Sequence, residues 1–378
     1  MQEIPFFKPS IDENELKQIK DVLNQTEINK TKILEKNFSN YVDSSFSIST
    51  SSGTAAMHLS MMSIELKRGD KIVCSVNAFP AVAEVIRHFD AEPIFVDIDK
   101  DDFNIDPEKL DVVLTKSKHK KLKAVFVTHV AGQPAPMDEI YDIAQKHGVL
   151  VIEDASNAMG ATYNGKMIGS LPKTTLTTFS FSPHSVNNIV NAGVITTANE
   201  DLDNRARLLR NHAIVSEGWE KYGDLDYVYD VVDIGVKYDL SQLDAAFCVA
   251  QLKKNDSFVK RRKEIASIYD KELKDTAHIS TPIKKRDHIY TRYIIKVDKN
   301  RDSFARELAL KGVRTGLNYI PLHLLSYYKS KYNLRINDFP VALTNYQQIL
   351  SLPIYPSLND NEVMKICEAV KDIAKTRV

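Results

Sequence analysis

The chain has 378 residues, enough for two domains or one large domain with an appendage, and it can bury a sizeable core. Lysine plus arginine and aspartate plus glutamate number 50 each, so the formal net charge is zero. That balance argues against a broad electrostatic footprint for nucleic acid or an anionic membrane.

From about residue 45 to 200, short β-rich runs alternate with amphipathic segments. The runs cover residues 71–75, 93–98, 124–129, 149–153, 175–181 and 194–197. Several are apolar almost throughout, as strands covered on both faces should be. Helices are predicted between them at 54–66, 81–89, 107–114 and 137–147, with Gly148 as the C-cap of the last. This alternation predicts an α/β fold with a mostly parallel sheet and helices on both faces. Ligands of such sheets sit at the carboxyl ends of the strands. The basic stretch Lys116 to Lys121 reads as a solvated loop between a helix and a strand.

After about residue 240 the pattern changes. A long helix is predicted over 243–273, with a solvated charge run at Lys260-Arg261-Arg262-Lys263-Glu264. An alternating strand follows at 288–297, then a helix from about Asp302 that stops at Gly312. A strand at 313–319 and helices near 340–350 and 359–375 complete the chain. The expected division is a large domain, 1–242, and a smaller C-terminal α/β domain, 243–378. The three cysteines, Cys74, Cys248 and Cys367, are far apart in apolar contexts and read as buried thiols, not a disulfide framework or zinc site. No apolar run reaches the ~18 residues of a membrane span, and the first residues lack a basic, then apolar, leader. The expectation is a cytoplasmic protein with no metal and no membrane partner.

Four segments could carry chemistry. Ser51-Ser52-Gly53-Thr54-Ala55-Ala56 follows a strand and opens a helix, where free N–H groups and the helix dipole suit a phosphate. Small residues at such a turn are also common for purely structural reasons. Asp154 ends an apolar strand and should point into the ligand crevice, where it could pair with a protonated pyridine nitrogen. An N-cap role is the alternative. Phe79 follows another strand and could stack on a planar ring, or simply join the core. Finally, Phe179-Ser180-Phe181-Ser182-Pro183-His184-Ser185 reads like the lysine loop of a pyridoxal-phosphate enzyme, yet it contains no lysine. Such enzymes hold the cofactor through one lysine amine, which also moves protons. Here Ser185 stands in its place, with His184 beside it.

In order, spacing and wording, these segments resemble the fold-type I, PLP-dependent sugar aminotransferases of the DegT/StrS class. The resemblance covers nearly the whole chain. It includes the turn at 50–58, Gly69-Asp70-Lys71-Ile72-Val73 and Ile94-Phe95-Val96-Asp97-Ile98-Asp99. His129-Val130-Ala131-Gly132-Gln133-Pro134, Glu153-Asp154-Ala155 and Gly160-Ala161-Thr162-Tyr163 follow. The stretch 235–246, Asn318-Tyr319-Ile320-Pro321-Leu322-His323 and Leu350-Ser351-Leu352-Pro353 complete it. The resemblance implies pyridoxal 5'-phosphate or pyridoxamine phosphate as cofactor, held noncovalently if Ser185 is native. Asp154 would hold the pyridinium nitrogen and Phe79 would cover one ring face. The backbone of Gly53, Thr54 and Ala55, with the Ser180 hydroxyl, would hold the phosphate. His323 would lie near a small-molecule substrate: a keto sugar, in first place one linked to a nucleotide, or a related small carbonyl compound. A homodimer is implied, with residues 235–246 reaching the neighbour's site.

The departures from the family pattern are equally specific. Ser185 replaces the lysine, and the glycine-rich run that follows is reduced to Val190-Asn191-Ala192-Gly193. Asn157 stands where histidine or glutamine is common. Lys237 stands where an asparagine usually reaches a neighbour's phosphate, and Asp239 where an arginine is usual. A lysine could still attract the phosphate, whereas an aspartate would repel it. A related branch uses histidine at the lysine position for dehydration, but His184 lies one residue earlier. Three readings follow: an aminotransferase-family enzyme without its lysine, a lysine-less dehydratase with His184 as base, and a non-catalytic binding or partner subunit.

Overall fold

The computed structural model describes residues 3–24, 29–117, 121–182, 190–215 and 229–377. The β-rich runs become strands β1 (Phe46–Thr50), β2 (Lys71–Ser75), β3 (Glu92–Val96), β4 (Leu122–Thr128) and β5 (Leu150–Asp154). A small hairpin, β6 (Thr162–Tyr163) and β7 (Lys166–Met167), precedes β8 (Leu176–Ser180) and β9 (Gly193–Thr197). Seven of these form one sheet in the order β1-β9-β8-β5-β4-β2-β3. Strand β9 is antiparallel to both its neighbours, and the other adjacent pairs are parallel.

Strand alternation feeds two cores. On one face Val73, Val125, Val127 and Phe179 pack with Phe38. On the other Ile72, Cys74, Phe126 and Ile152 pack with the helix Gly53–Ser63. Two of the helices between strands start where a polar side chain satisfies a first-turn N–H group, Ser52 for Gly53–Ser63 and Asp106 for Pro107–Lys116. The helix Met137–His147 ends at Gly148, whose φ of 63° is the left-handed conformation expected of a C-cap glycine.

The long helix Gln242–Leu273 has 32 residues and spans two cores. Its first half sends Ala245, Cys248 and Leu252 against the main sheet. Its second half sends Ile265, Tyr269 and Leu273 into a C-terminal core. That core covers the antiparallel sheet of β12 (Ile279–Ser280), β13 (Tyr293–Val297) and β14 (Ile349–Leu352). A further two-stranded ribbon, β10 (Ile214–Val215) with β11 (Asp230–Val231), stands apart. The N-terminal segment joins the C-terminal core, because the N–H of Ile4 donates to Gly312 O at 2.7 Å.

Two expectations in this half need correction. Residues 313–319 form no strand; only single bridges link Ile4 to Val313 and Gly316 to Ser351. Phe6 packs beside this segment, where a Cβ on Gly316 would lie 2.4 Å from its ring. The strand predicted at 288–297 pairs only over Tyr293–Val297. Ahead of it, the N–H groups of Ile289 and Arg292 donate to Gly132 O and Ala131 O, in a loop of the main sheet.

The three cysteines are free and buried, and burial pushes the Cys74 thiol up to about 12. Among the described residues no helix is long and apolar enough to cross a membrane, and no cluster of His, Cys, Asp or Glu could hold a metal.

Candidate active site

The carboxyl ends of β1, β5 and β8 open on a cavity of about 450 Å³. After β1, the chain turns through Ser51 and Ser52 into the helix Gly53–Ser63. Ser52 caps that helix, its Oγ accepting from the N–H of Ala55 at 3.0 Å. Ala55 is therefore already engaged, whereas the first-turn N–H groups of Gly53 and Thr54 have no partner among the described residues. A Cβ on Gly53 would lie 2.6 Å from the Cβ of Ser180. Only glycine lets the helix start approach the end of β8 this closely, and the approach puts Ser180 beside the open N–H groups.

Asp154 ends β5 and is 3% exposed. Its Oδ1 accepts from the N–H of Ser156 at 3.0 Å and its Oδ2 from the Thr128 hydroxyl at 3.4 Å. Burial pushes its pKa up against the pull of the Ser156 hydrogen bonds. No lysine or arginine pairs with it among the described residues. A buried carboxylate of this kind gains from a cationic donor brought in by a ligand.

Its neighbour Glu153 points to the opposite face, as strand parity requires. There His129 Nε2 lies 2.8 Å from Glu153, and Tyr141 and Thr174 donate their hydroxyls to the same carboxylate. His129 Nδ1 accepts from the N–H of Ala135, so its proton is on Nε2 and it donates to Glu153. This buried group supports the strand and stays out of the cavity.

The cavity thus brings together Gly53, Thr54, Phe79, Asp154, Asn157 and Ser180. Phe79 is 54% exposed, at the start of the helix Pro80–Arg87. Its ring meets Tyr319 edge-on, with centroids 6.1 Å apart. Asn157 is buried and its Nδ2 donates to the Tyr319 hydroxyl at 3.0 Å. Other expected residues lie elsewhere. His323 is buried outside the cavity lining, its Nε2 3.1 Å from Ile336 O and its ring 5.0 Å from Phe339. The short turn Leu322–Leu324 after Pro321 carries it under this cover, and burial lowers its pKa. Lys237 and Asp239 are exposed and pair with each other at 2.9 Å, and Lys237 also donates to Asn211 Oδ1. They do not line this protomer's cavity, although Tyr238 O between them accepts from the N–H of Ser51 at the turn. His184 and Ser185 lie outside the described residues.

Sequence reasoning did not single out Arg292 or Phe6, which also line the cavity, nor assign a role to Tyr319; Asn191, noted only as part of the reduced glycine run, lines it too. For Arg292 a signal existed: it is the one charge in the otherwise uncharged run 289–295.

The profile of the DegT/DnrJ/EryC1/StrS aminotransferase family matches residues 9–371. The chain belongs to this family. Among its relatives is a protein of Methanocaldococcus jannaschii, MJ1066, 37% identical over 98% of this chain and 97% of its own length. Another is the spore coat polysaccharide biosynthesis protein SpsC of Bacillus subtilis, 33% identical over 98% of this chain and 97% of its own length. Among solved structures, Spr1654 of Streptococcus pneumoniae, assigned as a sugar aminotransferase and solved in its PMP form, superposes with a TM-score of 0.90. It is 27% identical, over 98% of this chain and 99% of its own.

The family's fold is fold type I, and its cofactor is pyridoxal 5'-phosphate or pyridoxamine phosphate. The cavity fits such a group. The tight Gly53–Ser180 approach leaves open N–H groups at a helix start, and Asp154 offers a buried carboxylate lacking a cation.

Proposed function

We propose that this aminotransferase-family chain binds pyridoxal or pyridoxamine phosphate noncovalently and acts on a keto sugar linked to a nucleotide. The observation that carries the reading is the placement of Asp154, Ser180 and Gly53 around one cavity. When bound, the cofactor supplies an electron sink and an amine carrier between donor and keto acceptor. Asp154 accepts a hydrogen bond from the ring nitrogen and keeps it protonated. The N–H groups of Gly53 and Thr54, with the Ser180 side chain, hold the phosphate at the positive end of the helix. Phe79 would cover the ring, and Asn157 with Tyr319 would bound the same cavity. Because Ser185 occupies the lysine position, attachment is noncovalent, and His184 is the nearest titratable side chain in sequence for moving a proton. The spore coat role in SpsC's name supports a place in polysaccharide biosynthesis.

The experiment is a titration of the purified protein with each cofactor, followed by absorbance and circular dichroism, then by borohydride and mass analysis. Saturable binding with no covalent adduct is expected. If neither cofactor binds, the reading fails and a non-catalytic partner subunit stands instead.

We also infer a homodimer. Support comes from an exposed apolar strip on and beside the β10–β11 ribbon, including Ile214, Tyr229, Val231, Val232 and Ile234, the last 82% exposed. Such a strip is unusual on a monomer surface. Sedimentation at micromolar concentration should give twice the chain mass, and a monomer would contradict the inference.

A further inference from the structure

Arg292 stands just before β13, where the C-terminal sheet meets the main sheet. It lines the cavity and is only 9% exposed. Its Nη1 donates to Thr291 O at 2.7 Å, and its guanidinium lies 5.9 Å from the Phe6 ring centre. Its Nε–H has no partner, and no carboxylate pairs with it among the described residues. A buried Nε–H without a hydrogen-bond partner also occurs on Arg210 and Arg301, so the distinguishing feature is the missing carboxylate. Arg207 and Arg210 both pair with the buried Glu35, and Arg286 pairs with Asp102.

A second buried guanidinium sharpens the contrast. Arg262, on the long helix, is 1% exposed, with Nε and Nη2 unpartnered. Burial first, and then the charge of Arg292, pushes its pKa down to about 9. Two neighbouring buried cations with no carboxylate paired to either among the described residues are costly to keep. Strained arrangements of this kind persist where a ligand completes them.

We propose that Arg292 recognises a carboxylate of the substrate inside this cavity, an assignment that rests on reading the cavity as the active site. The guanidinium fork matches a planar carboxylate in two parallel hydrogen bonds. Burial strengthens the pair, and the anion offsets the repulsion that Arg262 feels. The phosphate end of the cavity is served separately by the turn at Gly53 and Thr54. Two substrates could bring the carboxylate: an amino-acid donor, or a sugar that is itself an acid.

The test is calorimetric titration of the protein, Arg292→Gln and Arg292→Lys with L-glutamate and with D-glucuronate, beside a pyridoxal phosphate titration of all three. The unaltered protein should bind at least one acid. Arg292→Gln should bind it roughly tenfold to a hundredfold more weakly, the loss typical of a hydrogen bond to a charged group. Arg292→Lys should fall between, because it keeps the charge and loses the fork. Binding of glutamate assigns the carboxylate to the donor, and binding of glucuronate to the sugar. Cofactor affinity should not change, and the melting temperature of Arg292→Gln should not fall, since Arg262 is relieved.

Equal acid affinity in Arg292→Gln, or no acid binding by the unaltered protein, overturns the proposal. So does loss of cofactor affinity with acid binding intact, which would place Arg292 on the phosphate. Should Arg292→Gln fail to fold, Arg292→Lys decides: full acid affinity there refutes fork recognition. If the unaltered protein takes up no cofactor but Arg292 still governs acid binding, the cofactor reading fails while this proposal holds.

Discussion

Replacing Asp154 with asparagine separates the cost of burying that carboxylate from its use. In the fold its pKa is raised by burial, so the folded chain holds this proton more tightly than the unfolded chain. The resulting stability is present at acid pH and is lost as pH rises through the folded value. At any pH above that folded value the cofactor-free protein carries a buried charge that Asp154→Asn removes. The amide oxygen can still accept from the N–H of Ser156, and the Thr128 hydroxyl can turn to accept from the new NH2. The cofactor-free variant should be at least as stable as the unaltered protein. Cofactor binding should suffer, because a hydrogen bond between charged groups is worth about 1.5–3 kcal/mol, roughly 10- to 150-fold in affinity. At a cofactor concentration of about 100 Kd, binding stabilises by about 2.7 kcal/mol. With roughly 30-fold weaker binding, less than about 1 kcal/mol of this survives. Denaturant unfolding at neutral pH, with and without pyridoxal phosphate, reads both effects. Unchanged stabilisation by the cofactor would refute the role of Asp154. A clear loss of stability without cofactor would refute the burial argument.

Gly53→Ala should destabilise the protein by about 1–3 kcal/mol and weaken the cofactor, because the new Cβ would sit 2.6 Å from the Ser180 Cβ; a variant with unaltered unfolding would show that the turn yields freely. Ser185→Lys should create a covalent cofactor adduct that borohydride fixes and mass analysis detects. If that variant stays colourless, adding Asp239→Asn frees Lys237 from its 2.9 Å partner and should restore uptake; a folded double variant that binds no cofactor would reject the cofactor reading. His288 is 3% exposed, accepts from the N–H of Tyr290 and stacks on its ring, and burial pushes its pKa down to about 3 from 6.5. The neutral ring's stability is present above about pH 6.5 and is lost as pH falls toward about 3. His288→Asn keeps an acceptor and cannot charge, so its stability should fall less steeply over that window; parallel curves would show that His288 is not the group responsible.

Much of this protein was legible along the chain. Strand–helix alternation named the sheet, because strands buried on both faces must be apolar at every position, and the structure feeds two cores from alternate residues of β2 and β4. Asp154 could be placed at a strand end pointing to the ligand side, and Gly148 at a helix end, because both follow from local geometry. That residues 179–185 contain no lysine is a fact of sequence alone. Other features needed the third dimension. Arg292 looked like one charge in a β run, and only the loop carbonyls at Ala131 and Gly132 turn its segment out of the sheet and into the cavity wall. His323 sat in a matching motif, yet its cover by Phe339 and the Ile336 carbonyl takes it out of the cavity lining. Residues 313–319 had strand character, yet they form only single bridges, to Ile4 and to Ser351, partners more than 30 positions away in sequence that the local pattern does not name. Periodicity reports which side of an element is apolar. It cannot report which distant element covers that side, and in this cavity turns, strand ends and the N-terminal segment meet from stretches of chain that run from Phe6 to Tyr319.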